Sequence, residues 1–237
     1  MIPCENRGMK KSIIALTLAG LSCMASAGEM TRAGIPLDAA WKKNLYRFAE
    51  KDSTDTAWGL AHSERDYLLS VAIARGEGLA VDADVLFAAA FLHDIGAQKP
   101  YAKDGVKHEP RAVEVMGPIL EEAGFPAEKR SLLEEVFLRH MYYSAPGRSP
   151  EAIVFRDADT LDGLGAVGAV RVFSQGGRED GWAPSLGEGL DRVKRWQNDL
   201  PRALSTATAR GMAQGRVEEL RAFLERLQDE SAAGRAL

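Results

Sequence analysis

Residues 150–173 read PEAIVFRDADTLDGLGAVGAVRVF, and this stretch decides how the chain folds. Its apolar residues Ile153, Val154, Phe155, Leu161, Leu164, Val167 and Val170 point all round a helical axis. Pro150 suits a first-turn position, where its missing N–H costs nothing. The pattern predicts one helix from Pro150 to about Phe173, buried on every side and therefore central. Gly163, Gly165 and Gly168 would let neighbouring helices approach it closely. Each glycine costs up to about 1 kcal/mol of helix propensity, so a packing or ligand reason is expected. The same helix carries Asp157, Asp159 and Asp162 where solvent should be scarce.

Outward from this stretch, helical spacing recurs and strand-like alternation does not. Amphipathic or apolar helices are predicted over 41–50, 57–75, 84–92, 109–123, 127–141, 189–200 and 206–229, with a Gly-rich loop at 174–186. The expected fold is all-α, a single domain over 28–237. At 237 residues, 46% hydrophobic and 27% charged, the chain is long enough for one substantial core and too apolar for disorder. Lys plus Arg total 30 against 34 Asp plus Glu, a net charge of −4. That balance carries no electrostatic signature for a nucleic acid polymer.

The N-terminal stretch reads differently. From Met9, the start that the pattern favours, Lys10-Lys11 precede the apolar run 12–21 and the small residues Ala25-Ser26-Ala27. This is the layout of a secretory signal peptide over 1–27. The run is well short of the roughly 20 residues of a membrane-spanning helix, so no stable membrane anchor is expected. Cleavage after Ala27 would leave Gly28 first and would remove Cys4 and Cys23, the two cysteines of the chain. The expected location is periplasmic or secreted, where a cysteine-free chain needs no disulfide.

The chemistry-bearing residues are the four histidines, His62, His93, His108 and His140, and a few aspartates. His93 and Asp94 abut the apolar run Ala88-Ala89-Ala90-Phe91-Leu92. An ionisable pair there is costly to bury unless it is paired or binds a metal. Imidazole and carboxylate together suit Mn, Fe, Co, Ni or Zn better than Ca or Mg. Asp157 and Asp159 are two residues apart and point about 200° from each other on a helix. Only one of them can face a cation, and pattern alone leaves the choice open. Arg65 lies three residues after His62 on nearly the same helix face, Lys99 follows the His-Asp pair, and Arg111 lies one turn beyond His108. By spacing, all three are candidate phosphate binders, with surface solvation the plainer reading of Lys99 and Arg111.

His62, then Leu92-His93-Asp94-Ile95-Gly96, then Asp157-Ala158-Asp159-Thr160-Leu161-Asp162 resemble the H…HD…D signature of the HD-domain metal-dependent phosphohydrolases. The segment DADTLDGLGAVGAVR is similar to the DADRLDAIGAIGIAR of small single-domain bacterial HD proteins, with Thr160 where those have Arg. Residues 200–230 are similar to their C-terminal region as well. The resemblance implies an HD-type helical bundle with a metal site between helices. It implies His62, His93, Asp94 and Asp159 as ligands of a divalent metal (Mn, Co, Ni, Fe, Zn or Mg). It also places His108 and His140 where two-metal relatives carry further histidines, as second-metal ligands or substrate contacts. The activity implied is hydrolysis of a phosphoester or phosphoanhydride of a small phosphorylated molecule, nucleotides foremost, by metal-activated water. Asp94 would orient or deprotonate the nucleophile, and His108 or His140 would protonate the leaving oxygen. Two other readings stay open: a metal- and ligand-binding module without turnover, and a di-iron oxygenase.

Overall fold

The structure, a computed structural model, describes residues 28–176, 178, 183, 185–232 and 235. The signal-peptide segment 1–27, and residues 177, 179–182 and 184 of the expected Gly-rich loop, lie outside the described residues. After a short extended start with one isolated bridge between Met30 and Pro36, the described chain is helical. In chain order the helices are α1 (Ala40–Asp52), α2 (Leu60–Glu77), α3 (Ala83–Leu92), α4 (His108–Ala123), α5 (Arg130–Arg139), α6 (Pro150–Asp162), α7 (Gly165–Phe173), α8 (Leu186–Ala203) and α9 (Ala207–Glu230). Short 3-10 turns at Ile95–Ala97 and Ala127–Lys129 precede α4 and α5. No described helix is long and apolar enough to cross a membrane.

The single long helix expected over 150–173 is two helices. Ser149 caps α6, its hydroxyl accepting from the Ala152 N–H at 3.1 Å, and Pro150 opens the first turn. The helix stops at Asp162, and Gly165 adopts φ +74°, which a side chain would resist. A Cβ on Gly163 would meet Leu200 Cδ1 at 2.6 Å, so glycine there lets α8 close against the break. The glycines thus mark a turn with tight packing rather than the interior of one helix. The all-round burial also ends there: α6 is buried on nearly every face, whereas Val167 and Val170 of α7 are exposed.

α6 is nevertheless central. It packs most extensively on α2 and also contacts α3, α5, α8 and α9. The uniformly apolar helix is α3, in which every residue from Val85 to Leu92 is buried. Asp82 caps it, accepting from the Asp84 and Val85 N–H groups at 3.0 and 3.3 Å. Asp157 serves a structural joint on the far side of α6. It accepts from the Ser205 N–H at 2.8 Å and from the Thr206 N–H and hydroxyl, both at 2.7 Å. Thr206 in turn caps α9. This carboxylate pins the positive end of α9 to the middle of the bundle.

Candidate metal centre

Five elements converge beside α6. α2 supplies His62, Arg65 and Asp66 on one face, by three- and four-residue spacing. His93 ends α3, and Asp94 begins the turn Ile95–Ala97. A Cβ on Gly96 would collide with the His108 and Ala112 backbone, so the glycine after the His-Asp pair lets α4 close in and bring His108 forward. His140 ends α5, and α6 contributes Asp159 and Asp162.

Three of the imidazoles are held through Nδ1. His93 Nδ1 faces the Ala89 carbonyl at 3.1 Å and His140 Nδ1 the Phe137 carbonyl at 2.7 Å. His62 Nδ1 lies 2.8 Å from Asp162 Oδ2. Carbonyl oxygens only accept, so Nδ1 of His93 and His140 carries the hydrogen and the neutral ring presents its Nε2 lone pair inward. Such outer contacts fix ring orientation and tautomer, as they do around metal-binding histidines generally.

Asp94 sits between two histidine pairs. Its Oδ2 lies 3.3 Å from His93 Nε2 and 3.6 Å from His62 Nε2. Its Oδ1 lies 3.4 Å from His108 Nε2 and 3.9 Å from His140 Nε2, two rings whose Nε2 atoms are 3.1 Å apart. Asp159 Oδ1 is 3.6 Å from His62 Nε2. The expected residues His62, His93, Asp94, Asp159, His108 and His140 therefore share one site, with Asp157 facing away. Donor atoms of His62, Asp66, His93 and Asp159 all lie within 4.8 Å of one another, as do those of His93, Asp94 and His140.

The electrostatics of the cluster suit a cation. Burial pushes Asp66 up to about 8, reinforced by Asp162 and Asp159. Burial and Arg171 would lower His62, but Asp66, Asp162 and Asp94 outweigh them and raise it to about 10. Burial and the His93 and His108 charges drive His140 well below the ordinary histidine value, so it is neutral. Burial would raise Asp94, yet His93, His62 and His108 hold it well below the usual carboxylate range. Both Asp66 oxygens and His93 Nε2 are buried without a hydrogen-bond partner. Orphaned acceptors facing one point fit a divalent cation, and the imidazole-carboxylate donor set fits a transition metal.

Arg65 is placed elsewhere than expected. Its Nε and Nη2 donate to the two Asp162 oxygens at 2.6 and 2.8 Å, and Arg171 Nη1 meets Asp162 at 2.9 Å. A buried carboxylate claims these cations. Arg111 is held by the Tyr101 carbonyl and Glu114 at 2.6 and 2.8 Å. Neither Arg65, Lys99 nor Arg111 lines the cleft above the site. That cleft, of about 400 Å³, has Asp94, His108 and Asp159 on its floor, Arg171 and Arg192 as its cations, and Trp58, Tyr142, Tyr143 and Trp196 along its walls. Thr160 also lines it, its hydroxyl donating to the Arg156 carbonyl at 2.7 Å. Spacing from His62 was the available signal for Asp66. The two arginines and the aromatics come from α7, α8 and the segments before α2 and α6, and no local pattern marks them.

Comparison with known proteins agrees with this geometry. The HD domain family matches residues 59–164, which span every histidine and aspartate of the cluster. A Lactobacillus plantarum protein is 19% identical, with 81% of this chain and 97% of that one covered and a TM-score of 0.62. A protein from an uncultured Thermotogales bacterium, described as a predicted HD superfamily hydrolase, is 28% identical over 80% of this chain and 90% of its own, with a TM-score of 0.54. Bacillus subtilis YpgQ, in a structure with ADP, is 23% identical over 80% of this chain and 97% of its own, at a TM-score of 0.59. None of the curated proteins compared with the chain matches it. The helical bundle, the histidine-aspartate cluster and these likenesses lead to one assignment: residues 59–164 of the chain form an HD domain, the domain of the HD superfamily.

Proposed function

We propose that this protein hydrolyses a phosphoester or phosphoanhydride of a small phosphorylated molecule, with nucleoside phosphates as the substrate class. The observation that carries the reading is the cleft, which joins the His-Asp cluster to two guanidiniums and an aromatic wall. His62, His93, Asp94 and Asp159 would hold the cation. When bound, that ion would polarise a phosphoryl oxygen and make water a stronger acid. Arg192 matches a phosphate by charge and by its planar donor fork, while Arg171 borders the cleft already paired with Asp162. Asp94, facing both histidine pairs, orients the attacking water and accepts its proton. His108, at the cleft floor with a side chain 22% exposed, is placed to protonate the leaving oxygen. His140, neutral and 0% exposed, holds His108 rather than acting as the acid itself. Trp58 and Trp196 suit the face of a nucleobase, and the ADP held by Bacillus subtilis YpgQ is in keeping with such a ligand.

The donor group His93, Asp94 and His140 favours one variant of this reading, in which a second cation shares Asp94. Metal-to-protein stoichiometry separates one ion from two, and oxygen-dependent product formation with iron would point to an oxygenase instead.

The substrate assignment predicts that Trp196→Ala raises KM for nucleoside phosphates about tenfold, since base stacking is worth roughly 1–3 kcal/mol. Glycerol phosphate, which has no base, should be turned over by variant and wild type alike. Steady-state phosphate release with Mn2+ measures both. An equal loss on the two substrates would contradict nucleobase binding, and no release from any phosphoester would contradict the hydrolase reading.

A further inference from the structure

We infer that Asp66 is a further ligand of the cation, an inner carboxylate beyond the set His62, His93, Asp94 and Asp159; the inference rests on the metal-centre reading above. Asp66 is 0% exposed, and neither of its oxygens has a hydrogen-bond partner. A carboxylate in that condition is among the most costly groups to bury. Among the described residues, the other buried carboxylates each have at least one hydrogen-bond partner, Glu109 through the Tyr143 hydroxyl and Glu151 through the Asp82 N–H. Asp157 accepts three hydrogen bonds at the start of α9, and Asp162 is held by Arg65, Arg171 and His62. Glu64 accepts from the Ala33 N–H at 3.1 Å and faces the Tyr46 hydroxyl at 3.4 Å.

The ion-pair neighbours of Asp66 are imidazole nitrogens that also serve as metal donors. Its Oδ2 lies 3.1 Å from His62 Nε2, in a contact that fails hydrogen-bond geometry, and 3.7 Å from His93 Nε2. His93 Nε2 is likewise buried without a hydrogen-bond partner. Donor atoms this close, with both Asp66 oxygens and His93 Nε2 unpartnered, are satisfied together by one cation. The helix explains the placement, because a residue four after His62 projects from the same face of α2. With Asp66 included, the site offers two imidazoles and three carboxylates. That oxygen-rich set suits Mn2+ or Fe2+, which accept high coordination, better than tetrahedral Zn2+.

The test is calorimetric titration of chelator-stripped wild type and Asp66→Asn with Mn2+ and with Zn2+. Melting curves of the same samples, with and without Mn2+, accompany it. Asp66→Asn should remain folded without metal and melt no lower than stripped wild type. It should bind Mn2+ at least about tenfold more weakly, lose less affinity for Zn2+, and show a smaller Mn2+-induced rise in Tm. Wild-type Mn2+ affinity in Asp66→Asn overturns this inference and leaves the metal-centre reading standing. Wild type that binds neither ion overturns both. A variant unable to fold without metal also overturns the inference, because Asp66 would then be a structural carboxylate.

Discussion

Asp94→Ala is expected to lower phosphoester hydrolysis by about 10³-fold or more, and to leave a protein that retains metal poorly. The size of the effect follows from the position of the side chain. Its two oxygens face different histidine pairs, Oδ2 toward His62 and His93 and Oδ1 toward His108 and His140. Removing it takes away a ligand, the group that orients water, and the anion that sets the charge of the surrounding imidazoles. Turnover and metal content should be measured on the same preparations. Undiminished hydrolysis by metal-free Asp94→Ala would contradict the mechanism.

Asp162→Ala has the largest expected effect on stability, a loss of about 3–5 kcal/mol, the cost of breaking a buried ion pair from one side. Asp162 is 1% exposed and neutralises Arg65 and Arg171 while fixing His62 through Nδ1. The variant leaves these cations without their counter-ion and frees the His62 ring to turn, so metal affinity should also fall by about 10–100-fold. The pH dependence has a definite sign. Burial alone would raise the Asp162 carboxyl, but its bonds to Arg65 and His62 and the charge of Arg171 hold it far below the usual range. A depressed carboxylate stabilises the fold fully above its unfolded pKa, about 3.9, and loses that contribution as pH falls further. Urea unfolding of metal-free protein should therefore show the full gap between wild type and variant at pH 7 and a shrinking gap below about pH 4. A gap that widens on acidification would contradict the role assigned to Asp162.

Much of this arrangement was legible in the chain. The apolar run before His93, the all-round pattern of α6 and the first-turn Pro150 all express local physics, and local physics survives folding. The break at Gly163 was not legible, because helix periodicity continues through it. What ends the helix is the left-handed backbone at Gly165 and the approach of α8, a tertiary matter. Arg65 shows the same limit. Its spacing from His62 was read correctly, yet its target is set by Asp162, nearly a hundred residues away in the chain. Spacing on one helix reports a shared face, and only the packed bundle decides what that face meets. Asp66 was within reach of the same spacing rule. Arg171, Arg192 and Trp196 were not, since they reach the cleft from helices far along the chain.

The central claim is that the cluster built from His62, His93, Asp94 and Asp159 holds a cation on which turnover depends. Chelator-stripped wild type titrated with Mn2+ tests it most directly, with bound metal and phosphate release recorded at each addition. The account predicts negligible release from the stripped protein and a rise in step with bound metal until the site is full. Full phosphate release by protein shown to be metal-free would contradict it.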